Sequence, residues 1–247
     1  MHRTGPEDVG AGQDPESAGA PERLGASAPA SGLRSARLDM PRSAHTNQTD
    51  SAALDGLAEA KAALRAHVLA RRRALNADER GAAGRHLRDA VLDMPEIEMA
   101  GTVAAYVSMG TEPESRGLIF ALWKRGTYVL LPVLLPDGEL DWASYEGPDS
   151  LGPGPRGLIE PTEPRRGVAA ITSADAVLVP ALAVDRAGHR LGRGGGSYDR
   201  ALARVGPSIL TVALLYDGEL VPGVPVTEHD QLVRAAALPG RGIIRLG

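Results

Sequence analysis

Two apolar runs, AVLVPALAVD (176–185) and ILTVALLYD (209–217), limit most tightly what this chain can become. Between them lie a glycine-rich stretch, RLGRGGGSYD (190–199), and a short helix candidate opening near Tyr198. The same order recurs upstream. Thr102 to Val107 (TVAAYV) has the composition of a buried strand, and a helix follows it. Pro113 is expected in the first turn of that helix, and Gly126 should stop it after LIFALWKR. Tyr128 to Leu134 (YVLLPVL) is the next strand, with Pro132 best suited to an edge or an end. Asp137-Gly138 then turns the chain as a hairpin into LDWASY, and GIIRLG closes the sequence as a last strand. Strands separated by helices lead to an α/β fold. The expectation is a single three-layer domain in which helices flank a mostly parallel sheet.

Ahead of these strands, Leu57, Ala60, Leu64, Val68 and Leu75 recur at helical steps, predicting an amphipathic helix over 57–75. Asn76 and Glu79 form a capping-box pair for a second helix to about Leu92, with Pro95 beyond it. The first 53 residues differ. AGAPERLGASAPASGLRSA has no period, and such a segment cannot bury enough apolar surface to offset the entropy of ordering it. Residues 1–53 are therefore expected to be a disordered tail, and 54–247 the domain. The Pro/Gly-rich stretch GPDSLGPGPRGLIEPTEPRRG (147–167) reads as a long connection wrapped over the surface.

Several function classes drop out on composition. The chain has no cysteine, which removes disulfides, thiol catalysis and cysteine-ligated metal sites. A net charge of −4 and 3% aromatic residues argue against nucleic acid as the partner. No run approaches the roughly 18 apolar residues of a membrane span. MHRTGPEDVGAGQDPE carries acids where a secretion signal has its apolar core, so the expected location is cytoplasmic, with no membrane partner.

The glycine stretch follows the most hydrophobic strand candidate and precedes a helix, the position where open α/β sheets bind ligands. Side-chain-free backbone lets a phosphate approach its N–H groups closely, and Arg190 and Arg193 would add charge-assisted contacts. Asp199 offers a hard oxygen for a magnesium ion. A plain glycine turn is the alternative reading. The stretch is not a P-loop, since Ser197-Tyr198 follows Gly196, and it fails the dinucleotide fingerprint at Ser197.

The segment LVPALAVDRAGHRLGRGGGSYDRAL (178–202) resembles the signature of the 5-formyltetrahydrofolate cyclo-ligase family. KAALR, YVSMGTEPES, LLPVL and VPVTEHD extend the resemblance in order from about Lys61 to Asp230. It implies ATP-dependent, Mg²⁺-dependent closure of 5-formyltetrahydrofolate to 5,10-methenyltetrahydrofolate through a phosphorylated formyl group. By the same resemblance, ATP would be held by Lys61, Arg65 and the run Arg190, Leu191, Gly192, Arg193, Gly194, Gly195, Gly196, Ser197 and Tyr198. Val107, Met109, Glu112, Arg193 and Gly196 would contact the folate, Asp199 and Asp230 would bind the metal, and Arg65, Arg193 and Tyr198 would be catalytic. Arg71, Arg72 and Arg73 are left on the surface. The bland alternatives are a solvated basic helix face for Lys61 and Arg65, helix capping for Glu112, and a loop acid for Asp230. Two positions depart from the family pattern: Ser197 stands where many relatives have tyrosine, and Gly195 where many have lysine or another residue. A non-catalytic folate- or nucleotide-binding member, or a sugar-phosphate isomerase or CoA transferase on a similar sheet, are the competing readings. A monomer or weak dimer is expected.

Overall fold

The computed structural model describes residues 46–247, with side chains from residue 53. The tail expected over 1–53 lies, up to residue 45, outside the described residues. Helix α1 runs from Thr46 to Ala74, longer at its start than the apolar period required. Helix α2, Ala77–Leu92, opens on the expected capping box: Asn76 and Glu79 exchange side-chain and backbone hydrogen bonds. The one-turn helix α3 (Pro95–Glu98) leads to strand β1 (Thr102–Ala104), helix α4 (Arg116–Lys124), and the strand pair β2 (Tyr128–Leu134) and β3 (Leu140–Ser144). Then follow β4 (Leu151–Pro153), β5 (Ile159–Pro161), β6 (Ala176–Pro180), β7 (Ala183–Asp185) and β8 (Arg190–Leu191). Helix α5 (Ser197–Leu202), β9 (Leu210–Leu214), β10 (Leu220–Val221), β11 (Ala235–Leu238) and β12 (Gly242–Arg245) complete the chain.

The main sheet has the order β12-β11-β9-β6-β1-β2-β3. Its five central strands are parallel, and β3 and β12 cap the two edges antiparallel. Period-two alternation feeds two cores. Leu178, Val212, Leu214, Ala235 and Ala237 point with Val103 and Val129 toward α2, α3 and α4, where Leu87, Val91, Ile97, Leu118 and Leu122 meet them. Val177, Val179, Ala213 and Ala236 point the other way, against Trp142, Ile171 and the α5 residues Ala201 and Leu202. This is the three-layer arrangement expected.

Five local expectations change. TVAAYV pairs only over Thr102–Ala104, while Ala105 to Val107 remain buried as irregular chain leading to the site. AVLVPALAVD is two strands rather than one. β6 ends at Pro180, and β7 leaves the main sheet to pair with β8 and β10 in a small second sheet on which α1 packs through Leu64, Val68 and Leu69. Helix α4 starts at Arg116, so Pro113 precedes it; Ser115 is its cap residue, but its hydroxyl donates to Tyr106 O and accepts from Ser108 N rather than from the helix N–H groups. Pro132 lies inside β2, but past Leu130, where the pairing with β1 has stopped, so no partner on that side needs its missing N–H. The 147–167 connection also contains the β4–β5 hairpin, which has no counterpart among the expected elements.

Candidate active site

A cavity of about 470 Å³ opens where β1, β2 and β6 end, at their C-terminal edge. Every residue singled out above for ATP, folate or metal lines it, from Lys61 and Arg65 on α1, through Val107, Met109 and Glu112, to the whole run from Arg190 to Asp199, and Asp230. The glycine loop leaves β8 and returns through α5. Gly194 and Gly196 have φ of +103° and +68°, conformations that disfavour side chains. Gly195 has no such constraint, and an added Cβ would meet only Ser197 Oγ at 3.7 Å. Departure from the family at Gly195 is therefore sterically neutral in this fold.

The charges around the cavity are mutually engaged. Lys61 Nζ donates to Asp230 Oδ2 at 2.6 Å, and that oxygen also accepts from Thr227 N and Oγ1. Burial pushes the Asp230 carboxyl up, but Lys61 and Thr227 outweigh it and hold it below the usual range. Arg65 Nε donates to Gly192 O at 2.9 Å, fixing the start of the loop from the helix side. Arg190 is buried: its Nη1 donates to Pro180 O and its Nη2 to Asp199 Oδ1 at 2.7 Å, while its guanidinium sits 6.0 Å from the Tyr198 ring centre. It thus orients Asp199 and Tyr198 from behind the loop. Arg193, by contrast, reaches across the cavity, and its Nε donates to Glu112 Oε1 at 3.1 Å.

Glu112 does not cap a helix. Its Oε2 accepts from Met109 N at 2.9 Å, and the neighbouring Glu114 takes the capping role, accepting from Arg116 N and Gly117 N. That leaves one face of a largely buried carboxylate toward the cavity, between Val107 and Met109. Burial, with the Glu112 carboxylate added, drives the Tyr198 phenol far above its ordinary pKa despite Arg190 beside it. Tyr198 is therefore a neutral aromatic wall and hydrogen-bond donor.

The two aspartates border the same cavity. Among the described residues no three His, Cys, Asp or Glu side chains converge as a metal cluster. Each aspartate gives one oxygen to a cation, and its other oxygen accepts no hydrogen bond from the described residues. Magnesium is usually held by one or two carboxylates together with substrate phosphates and water. The donor set fits that case: an ion held jointly with a nucleotide.

Several cavity residues were not singled out in the sequence. Arg72 was expected on the surface, yet it is buried; its Nε and Nη2 donate to the two oxygens of Glu219, and Nη2 also to Ala181 O. The signal was present, since Leu64, Val68, Arg72 and Leu75 share one helix stripe, which points Arg72 inward. The β4–β5 hairpin supplies Arg156, Leu158, Ile159 and Glu160 as one wall. Glu160 anchors it by accepting from Leu134 N at 2.8 Å. Arg156 holds φ +56°, the sole non-glycine residue with positive φ among those described.

Residues 57–239 match the model of the 5-formyltetrahydrofolate cyclo-ligase family. The chain is 42% identical to the 5-formyltetrahydrofolate cyclo-ligase of Mycolicibacterium smegmatis over 150 residues, covering 59% of this chain and 77% of that protein. It is 33% identical to the Escherichia coli enzyme of the same name over 174 residues, 69% of this chain and 96% of that one. The NMR structure of Aquifex aeolicus 5,10-methenyltetrahydrofolate synthetase superposes with a TM-score of 0.66 at 29% identity, over 75% of this chain and 92% of that one. A structure of a 5,10-methenyltetrahydrofolate synthetase from Mycoplasma pneumoniae has the same fold, with a TM-score of 0.57 at 18% identity, over 71% and 96% of the two chains.

Proposed function

The chain belongs to the 5-formyltetrahydrofolate cyclo-ligase family, and on that premise we propose that it closes 5-formyltetrahydrofolate to 5,10-methenyltetrahydrofolate at the expense of ATP. The observation that carries this reading is convergence. Residues as far apart as Lys61 and Asp230 line one cavity together with the glycine loop, its arginines, and the Glu112 carboxylate beside Val107 and Met109.

The ring closure needs the formyl oxygen turned into a leaving group. That oxygen attacks the γ-phosphorus, the bond to the ADP oxygen breaks, and an N5-iminium phosphate results. N10 then attacks the formyl carbon and loses its proton, and the C–O bond breaks to release phosphate. Such a transfer asks the protein mainly for alignment and charge neutralisation. Lys61, Arg65 and Arg193 supply positive charge from two sides of the cavity, and the glycine loop lets the phosphates approach backbone. Glu112 accepts two N–H bonds from the pterin edge, while Val107, Met109 and Tyr198 pack against the ring. Asp199 and Asp230 are the residues that would hold Mg²⁺, which when bound neutralises phosphate charge. The same reading has the enzyme act in the cytoplasm as a monomer or weak dimer on these small molecules.

The test mixes purified protein with 5-formyltetrahydrofolate and MgATP and follows the near-ultraviolet absorbance of the methenyl product. The absorbance should rise only with both ATP and Mg²⁺, and Arg193→Ala or Asp199→Ala should slow the rise by about 10²–10³-fold. Folded protein that binds ATP and gives a flat trace would instead support a non-catalytic family member.

A further inference from the structure

Tyr106 brings to this cavity a hydroxyl that no described residue of the chain uses. The residue is 3% exposed, its Oη is buried, and among the described residues no group hydrogen-bonds to it. Its backbone is held in place, since Tyr106 O accepts from the Ser115 hydroxyl at 2.6 Å. Buried phenols ordinarily find a partner, so an unpaired one in a binding cavity points to a partner that arrives with the ligand. Tyr128 Oη and Trp142 Nε1 are also buried and unpaired, but neither borders the cavity. Burial and the Glu112 and Tyr198 side chains drive the Tyr106 phenol well above its ordinary pKa, which keeps the proton on the oxygen.

The chemistry of the ligand says what that donor is for. The pyrimidine edge of a reduced pterin presents an exocyclic amine, a ring N–H and a carbonyl oxygen in succession: two donors, then an acceptor. A carboxylate matches the first two and repels the third. Resting on the reading of Glu112 given above, we infer that Tyr106 Oη donates a hydrogen bond to the pterin carbonyl oxygen and so selects a 4-oxo over a 4-amino ring. A neutral donor placed beside Glu112 completes the donor-donor-acceptor pattern, and a 4-amino ring would bring a donor to a donor. A site built this way discriminates because the mismatched ligand leaves buried polar groups unpaired.

Tyr106→Phe removes one oxygen atom and keeps the ring. Three readouts are compared with wild type: the melting temperature, the KM values for folate and ATP, and calorimetric binding of 5-formyltetrahydrofolate and its 4-amino-4-deoxy analogue without ATP. The expected result is an equal or higher melting temperature, because the lost hydroxyl had no partner among the described residues. Folate binding and KM should weaken by about 2- to 12-fold, the worth of one neutral hydrogen bond, with the KM for ATP unmoved. Preference for the 4-oxo ring should shrink by a similar factor. Unchanged affinity and preference would overturn the inference, as would a lower melting temperature with both KM values raised, which marks a structural role. The binding comparison needs no turnover, so an inactive wild type would count against the cyclo-ligase reading while binding still judged Tyr106.

Discussion

Two arginine–glutamate pairs reach the same cavity through their arginines, and they are built to opposite ends. Arg72 meets Glu219 through two bonds of 2.7 Å each, with side chains 1% and 4% exposed, and Tyr216 N fills a further lone pair of the carboxylate. Arg193 meets Glu112 through one contact of 3.1 Å, with side chains 46% and 8% exposed. The first pair is buried and doubly bonded, so breaking it strands a charge in the interior. The second is half in solvent and singly bonded, so it can exchange partners for little cost. One holds β7, β10 and α1 together around the cavity, and the other spans the cavity that the ligands must enter.

The largest effect belongs to the buried pair. Arg72→Met should lower unfolding free energy by about 3–5 kcal/mol, read from urea denaturation, and the double variant Arg72→Met/Glu219→Leu should recover much of it. Arg193→Ala, measured alongside, should stay within about 0.5 kcal/mol of wild type. Equal losses from the two single variants would end the comparison.

A smaller effect tests exchange directly. A triphosphate that draws Arg193 away leaves Glu112 without its cation and ready for N–H donors. A non-hydrolysable ATP analogue should therefore tighten folate binding by about fivefold or more in wild type. In Arg193→Ala the folate affinity should not respond to the analogue, a result calorimetry reads without turnover.

The smallest effect concerns a framework carboxylate in the turn that leads to the glycine loop. Asp185 accepts from the backbone N–H groups of Ala187, His189 and Val224 and pairs with the His189 ring. Burial raises its pKa, but these bonds prevail and hold it below the usual range. A carboxyl depressed in the folded state stabilises fully above its unfolded pKa, about 3.9, and loses that contribution as pH falls through the folded value. Asp185→Asn should thus melt below wild type by a constant margin at neutral pH. The margin should close only on acidification past about pH 4.

Much of the fold was legible. Two-sided apolar runs give buried strands, three- and four-residue steps give α1, and the Asn76–Glu79 box sets the start of α2, because each depends on a few neighbouring residues. The site was legible mainly through the family resemblance. A basic face on α1 would otherwise pass for solvated, and nothing local tells Glu112 from Glu114, although one faces the cavity and the other caps α4. The β11 strand, AAAL, went unseen because alanine carries little strand preference; β9 and β12 on either side make it a strand.

By itself, then, the sequence determined the longer helices, most strands of the main sheet, its mostly parallel character and the place of a glycine loop after a strand. Only the tertiary structure decided that β7 leaves the main sheet and that the carboxylate partner of Arg72 is 147 positions away. It alone set Tyr106 against the cavity with its hydroxyl unpaired. The physical reason is range. Periodicity, caps and turns are settled by residues a few steps apart, whereas the burial of a charge or hydroxyl is settled by whichever distant segments close around it.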